Sequence, residues 1–381
     1  MKLKVCLVSS MISKLRMACI SDVHLGHHRT KTSFIVKNLR KAFFDTDVLA
    51  NLDIFLIAGD FFDRLLSLPL EEVHEINDWI VGFLARCAKH NVMLRVLEGT
   101  PSHDWRQSRL FDELNRHLGT PVDLKYVDTL SIEYIEKLDA TILYVPDEWS
   151  EEADNTWVQV TNLMRGMGLN QVDFACMHGV FQHQLPITSP VCHNEQRYLE
   201  IVREVIWIGH HHNHTRYEHI FAQGSFDRLC HGDESRKGYG LYTYDNGVRT
   251  LEFIENPGAK IYQTLNYVGL DIETVVKRLQ AVENYPDDSH FRIVTSRADG
   301  VASAIGQIKD RYPQFNWTTQ LEELTTSETT LQNDTKDDVP KPISINRENI
   351  ERLVREKLIT VAPDTSPEVE RALFEILERV A

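Results

Sequence analysis

Four histidines, His210, His211, His212 and His214, fall within five positions directly after the apolar run Val205-Ile206-Trp207-Ile208 and Gly209. A short β-branched and aromatic run closed by glycine reads as a buried strand. Side chains on a chain that leaves such a strand still extended alternate sides. His210 and His212 then point one way, His211 the other, and His214 lies past the site. Two imidazoles at that spacing suit a metal site, although a solvated histidine-rich loop would carry the same letters. The rest of the chain discriminates. Asp22 and His24 follow an apolar run at 15–20, and Asp60 and Asp63 follow one at 54–58. His103 and Asp104 follow a run at 92–97, and His178 follows one at 172–177. In α/β sheets, ligands sit beyond the carboxyl ends of strands, and Gly59, Gly99, Gly179 and Gly209 allow tight turns there. Five such endings in chain order point to one assembled site.

Aspartates and histidines without thiolates suit hard or borderline divalent ions such as Mn²⁺ or Fe²⁺ better than a structural zinc. Two such ions about 4 Å apart clamp a phosphate and generate a hydroxide nucleophile, so the natural reaction is in-line hydrolysis of a phosphate ester. The chain has no Gly-x-Ser-x-Gly elbow and no Gly-x-x-x-x-Gly-Lys loop, so neither a covalent serine nor a phosphate-cradling loop is read.

With 381 residues the chain has room for two or three domains. A net charge of −15 argues against a general nucleic-acid coat protein. It is compatible with a nucleic-acid enzyme whose cations and local basic patches meet phosphate. Six scattered cysteines with no Cys-x-x-Cys pair imply a reducing cytoplasm and no disulfide framework. No apolar run approaches the ~20 residues of a membrane span. Residues 1–14 read as an extra edge strand or a leader rather than a signal peptide.

Further strands are expected at 141–145, 219–222, 240–244 and 250–254, the last three in a second sheet, and helices at 34–43 and 71–89. After residue 255 the pattern changes to a small α+β unit. It has strands at 261–265 and 291–295 and two amphipathic helices, one over 271–282 and one marked by Val301, Ala304, Ile305 and Ile308. Residues 325–343 are polar and read as a flexible linker. Residues 344–381 then carry two apolar helical stripes, too small to stand alone, whose faces suit a partner.

Asp22-x-His24, Gly59-Asp60-x-x-Asp63, Gly99-x-x-x-His103-Asp104, His178-Gly179 and Gly209-His210-x-His212 resemble the five-motif signature of the calcineurin-like metallophosphoesterases over about residues 16–250. Three features resemble, more narrowly, the SbcD-like nuclease subunits of double-strand-break repair complexes. They are the Ser21-Asp22-Val23-His24-Leu25-Gly26 form of the first motif, the Gly224-Ser225 loop, and the trailing small unit, linker and helix pair. The resemblance implies a four-layer α-β-β-α metallophosphoesterase sandwich over 15–254, a capping domain over 255–324 and a helix pair at 344–381 that binds an SMC-like (SbcC-type) ATPase. It implies a homodimer within a heterotetramer, acting on DNA ends with two Mn²⁺ ions, Mg²⁺ and Fe²⁺ being alternatives.

By position, the resemblance gives Asp22, His24 and His212 to one metal, and His178 and His210 to the other, with Asp60 bridging. His103 becomes the acid that stabilises the transition state or protonates the leaving oxygen, and Asp104 orients its imidazole. Asp63 takes a supporting role. The family's pattern is Gly-Asn-His-Asp, with the asparagine oxygen on a metal. Here Ser102 precedes His103, a weaker neutral ligand, unless water or another side chain fills that place. His27, His28, Arg29, Arg106 and Arg109 are candidate DNA contacts. Trp105 is expected to pack in the core, with base stacking as its alternative. Two other functions stay open: a stand-alone phosphodiesterase or phosphatase on small phosphate esters, and a catalytically weak DNA-binding scaffold.

Overall fold

The computed structural model describes residues 14–322, apart from residues 69, 120, 148–151, 188 and 298. Residues 1–13, the linker expected at 325–343 and the helix pair expected at 344–381 lie outside the described residues. In chain order the strands are β1 Lys14–Ile20, β2 Ile54–Ala58, β3 Met93–Leu97, β4 Leu124–Val127, β5 Ser131–Ile135, β6 Ala140–Val145, β7 Val172–Gly179 and β8 Val202–His210. They continue as β9 Thr215–Tyr217, β10 Ile220–Ala222, β11 Gly238–Asp245, β12 Val248–Glu255, β13 Tyr262–Asn266, β14 His290–Ser296 and β15 Asn316–Glu322. The helices are α1 Thr32–Phe43, α2 Glu71–His90, α3 Pro101–Asp104, α4 Leu110–Asn115, α5 Ala153–Met167, α6 Glu195–Ile201, α7 Ile272–Val282 and α8 Gly300–Arg311.

The result is a mixed α/β protein with two six-stranded mixed sheets, ordered β12-β11-β1-β2-β3-β4 and β5-β6-β7-β8-β10-β9. β1 through β4 run parallel in the first, and β6, β7, β8 and β10 run parallel in the second. Parallel neighbours need crossovers, which α1, α2 and α5 provide. The sequence reading of 219–222, 240–244 and 250–254 as one second sheet is corrected. β10 pairs with β8, while β11 pairs antiparallel with β1 and β12 with β11, so both extend the first sheet.

The period of two along each strand decides which core a side chain enters. On β2, Phe55 and Ile57 pack with Ile35, Leu39, Phe43, Ile76, Ile80 and Phe83 of α1 and α2. Ile54, Leu56 and Ala58 of the same strand join Ile142, Tyr144, Phe174, Cys176, Val205 and Trp207 of the other sheet. The remaining faces of β6, β7 and β8 pack with Val160, Met164 and Tyr198 of α5 and α6. Helix α2 shows why these segments are helical. Ile76, Ile80, Phe83, Leu84 and Cys87 make its buried stripe, Glu71 and Glu72 sit in its first turn, Lys89 and His90 in its last, and Asn91 ends it at φ 57°.

The unit after residue 255 is a parallel three-stranded sheet, β13-β14-β15, with α7 and α8. Its third strand, β15, is mostly exposed and shows no alternation, so periodicity missed it. Asn38 on α1 fastens this end of the chain, donating to Asp227 at 3.0 and 3.1 Å and to the Gly258 carbonyl at 2.9 Å. Among the described residues no helix is long and apolar enough to cross a membrane.

Candidate metal centre

Asp22 and His24 follow β1, Asp60 follows β2, His103 sits on α3 after β3, His178 lies on β7 and His210 ends β8. Because β1, β2 and β3 belong to one sheet and β7 and β8 to the other, the cluster straddles both sheets. The loops are tied through backbone. The N–H groups of Asp22, Val23 and His24 donate to the carbonyls of Gly59 and Asp60 at 3.1, 2.9 and 3.1 Å. The Asp22 carboxylate accepts from the His210 N–H at 2.9 and 3.1 Å. A Cβ at Gly209 would stand 2.2 Å from the Ala58 carbonyl oxygen, so the two sheets approach this closely only at glycine. Asp22, His24, Asp60 and His210 have φ of 50°, 53°, 50° and 95°. An L-residue pays about 1–2 kcal/mol for that left-handed conformation, and such strain persists where the surroundings over-determine it.

The ring and carboxylate atoms converge in three groups able to hold a metal ion: Asp22 with His24 and His212, His24 with Asp60 and His103, and Asp60 with His178 and His210. His178 Nδ1 donates to the Ala58 carbonyl at 2.8 Å, which leaves Nε2, 3.3 Å from Asp60 Oδ1, as the ligating atom. His24 Nδ1 lies 3.1 Å from Asp63 Oδ1, while its Nε2 faces His212 Nε2 at 3.0 Å. Asp63 thus lies beside the outer nitrogen of His24. Two ring nitrogens meeting beside the buried Asp22 carboxylate fit a shared cation.

The electrostatics agree. Burial alone would raise the Asp60 pKa, but positive His178 and hydrogen bonds from His103 and His178 outweigh it and hold the carboxyl well below its usual range. Burial disfavours protonation of His178, yet Asp60 overrides this and pushes the imidazole up to about 10. The buried carboxylate therefore demands a positive charge nearby, and a divalent cation supplies one in place of the proton. The donor set fits a metal ion.

Ser102 does not join the centre. It is exposed, and its carbonyl accepts from the Trp105 indole at 2.8 Å. The hydroxyl at the second group is that of Thr100, 3.2 Å from Asp60 Oδ2, 3.3 Å from His178 Nε2 and 3.2 Å from His210 Nδ1. Pro101 and Ser102 separate the residue that follows Gly99 from His103, so counting forward from the glycine finds Thr100 where counting back from the histidine finds Ser102. Thr100→Val should weaken divalent-cation binding at this group roughly tenfold, read as the binding step of an electron paramagnetic resonance titration with Mn²⁺ as the probe. Ser102→Ala should leave that step in place, and the reverse ranking would return the role to Ser102.

His103 Nδ1 donates to Asp60 Oδ2 at 2.9 Å, and this bond raises the imidazole pKa above its usual value against the opposing effect of burial. Asp104 does not orient that ring. Fully buried, it accepts the backbone N–H groups of Asp60 at 3.1 Å, Phe62 at 2.9 Å and Gly99 at 2.8 Å, so it knits two loops. Burial, with the Asp60 and Glu98 carboxylates close by, pushes its pKa up to about 7.

None of the candidate DNA contacts is in the three groups. His27, His28 and Arg29 form their own surface cluster, Arg106 is exposed, and Arg109 lies 3.7 Å from Asp128. His211 bonds the Asn213 carbonyl, and His214 stacks on Phe253 at 4.3 Å. Trp105, expected in the core, is exposed. Sequence reasoning also missed Lys237, whose buried ammonium donates to the His212 carbonyl at 2.8 Å and pairs with Asp233. Lys237 opens no motif and lies 25 residues beyond His212, so no spacing marks it.

No protein-family model and no curated protein matches the sequence. A solved crystal structure is similar to 63% of this chain over 100% of its own length, at 13% identity and a TM-score of 0.37.

Proposed function

We propose that this chain is a metal-dependent phosphodiesterase acting on DNA, a nuclease subunit of the SbcD-like kind. The observation that carries the reading is Asp60. One buried carboxylate meets His103, His178 and Thr100 directly, and shares metal-binding groups with His24 and His210. Such sharing suits two cations beside one phosphate. Asp22, His24, His212 and Asp60 would hold one cation, and Asp60, His178, His210 and Thr100 the other, with Mn²⁺ the first choice and Mg²⁺ or Fe²⁺ alternatives. Bound there, the cations supply Lewis acidity to the phosphoryl oxygens and to the attacking water.

The chain's own groups do the rest. Asp63 places a negative charge 3.1 Å from His24 Nδ1, and the Ala58 carbonyl fixes the His178 tautomer. His103, held at 2.9 Å from Asp60, would deliver a proton to the departing oxygen. The three core clusters support a four-layer α-β-β-α sandwich, with residues 255–324 as its cap. In the same reading the protein is a cytoplasmic homodimer whose residues 344–381 bind an SMC-like ATPase.

The test incubates linear duplex DNA and bis-p-nitrophenyl phosphate with Mn²⁺ and the full chain, with and without an ATPase partner. DNA degradation that falls at least a hundredfold in His103→Ala is the expected result. Turnover of the small ester with intact DNA would replace this reading by a stand-alone phosphodiesterase. Binding of DNA with neither substrate cleaved would make the chain a scaffold.

A further inference from the structure

Trp105 and Arg106 are consecutive residues in the left-handed region, at φ 48° and 58°. Bulky L-residues there cost about 1–2 kcal/mol each, so a pair of them points to a use for what the bend presents. The bend is held firmly. Glu98, itself buried, accepts the Arg106 N–H at 2.6 Å and the Tyr126 hydroxyl at 2.8 Å. The Gln107 side chain clamps the next turn, accepting from Leu66 N–H at 2.8 Å and donating to the Arg64 carbonyl at 2.9 Å.

What the bend presents is an indole. Trp105 is 55% exposed, whereas Trp79 and Trp207 are fully buried. The ring is anchored, since its Nε1–H donates to the Ser102 carbonyl at 2.8 Å. It is thereby fixed against the one-turn helix that carries His103. A flat apolar surface held rigid beside the candidate centre suits a flat apolar ligand.

Charge narrows the ligand further. At a net −15 the chain offers little general attraction for phosphates away from bound cations. In the same loop, Arg109 is turned toward Asp128 at 3.7 Å and the Tyr126 ring at 5.7 Å. Stacking needs no phosphate contact, and every nucleobase has a π-face. We propose that Trp105 is a stacking platform for a nucleobase of a single-stranded or frayed DNA segment entering the candidate centre. The proposal rests on the reading of the chain as a DNA phosphodiesterase.

The test measures binding of the full chain, with Ca²⁺ in place of Mn²⁺ so that the cation positions stay filled while cleavage is suppressed, to an oligothymidylate and to the same backbone carrying abasic tetrahydrofuran residues. Wild type should favour the base-bearing strand about tenfold, ~1.4 kcal/mol. Trp105→Ala should erase that preference and Trp105→Phe should keep most of it. The preference should persist as salt rises while overall affinity falls, because stacking releases no counterions. The oligothymidylate should also quench tryptophan emission in wild type and not in Trp105→Phe. A base preference retained in Trp105→Ala overturns the platform and leaves the DNA reading standing. Failure of wild type to bind either strand overturns both. Loss of self-association in Trp105→Ala, with no base preference in wild type, overturns the platform and gives the indole to a contact between copies.

Discussion

Asp60→Asn should lower phosphodiester hydrolysis by roughly 10³-fold or more, about 4 kcal/mol in the barrier, and should leave the chain folded. Asparagine keeps the shape of the side chain and an oxygen for the Thr100 N–H, which Asp60 Oδ1 accepts at 2.6 Å. It removes the charge that both proposed cation positions share and toward which His103 and His178 are turned. Loss should therefore appear first as metal content. Mn²⁺ retained per chain after desalting should fall below that of wild type, and turnover of bis-p-nitrophenyl phosphate should fall with it. A variant that binds Mn²⁺ as wild type does and hydrolyses the ester at a comparable rate would remove Asp60 from the centre of the site.

Asp104→Ala should act differently, on stability before chemistry. It strands three backbone donors, those of Asp60, Phe62 and Gly99, where no water reaches. Each buried donor left without an acceptor costs about 1–3 kcal/mol, so three of them total roughly 3–9 kcal/mol. Set against the ~5–15 kcal/mol that holds a typical domain, a loss of that size unfolds a large fraction of the molecules or melts both loops. Urea unfolding of the metal-free chain should show the midpoint falling accordingly. Asp104→Asn should fall between, because its amide oxygen still accepts while its NH₂ must face one of the same donors. A shift below ~1 kcal/mol in Asp104→Ala would contradict the knitting role and favour an action of Asp104 through His103.

The strand ends were legible because each carries its own marker. An apolar run of the length of β2 or β7 followed by glycine, aspartate or histidine needs no tertiary information to suggest a ligand-bearing loop. Helix α2 was legible for the same local reason, with its stripe, terminal charges and Asn91 cap all in one segment. β4 and β5 were not, since both are short and mostly half-buried, with lysine or glutamate where a core strand would carry aliphatic residues.

Other features depended on contacts far apart in the chain. Sequence neighbourhood assigned Asp104 to His103, but a carboxylate serves whichever donors surround it, and the fold surrounds this one with backbone N–H groups from residues 60, 62 and 99. Membership of β11 in the first sheet follows from pairing with β1, more than two hundred positions earlier, and β12 joins through β11. By itself the sequence determined which residue types would converge, because the five motifs each end a strand. Tertiary structure alone decided that Thr100 rather than Ser102 meets them, because α3 begins at Pro101, which leaves Thr100 before the helix with its N–H on Asp60 and places Ser102 on the helix, exposed to solvent.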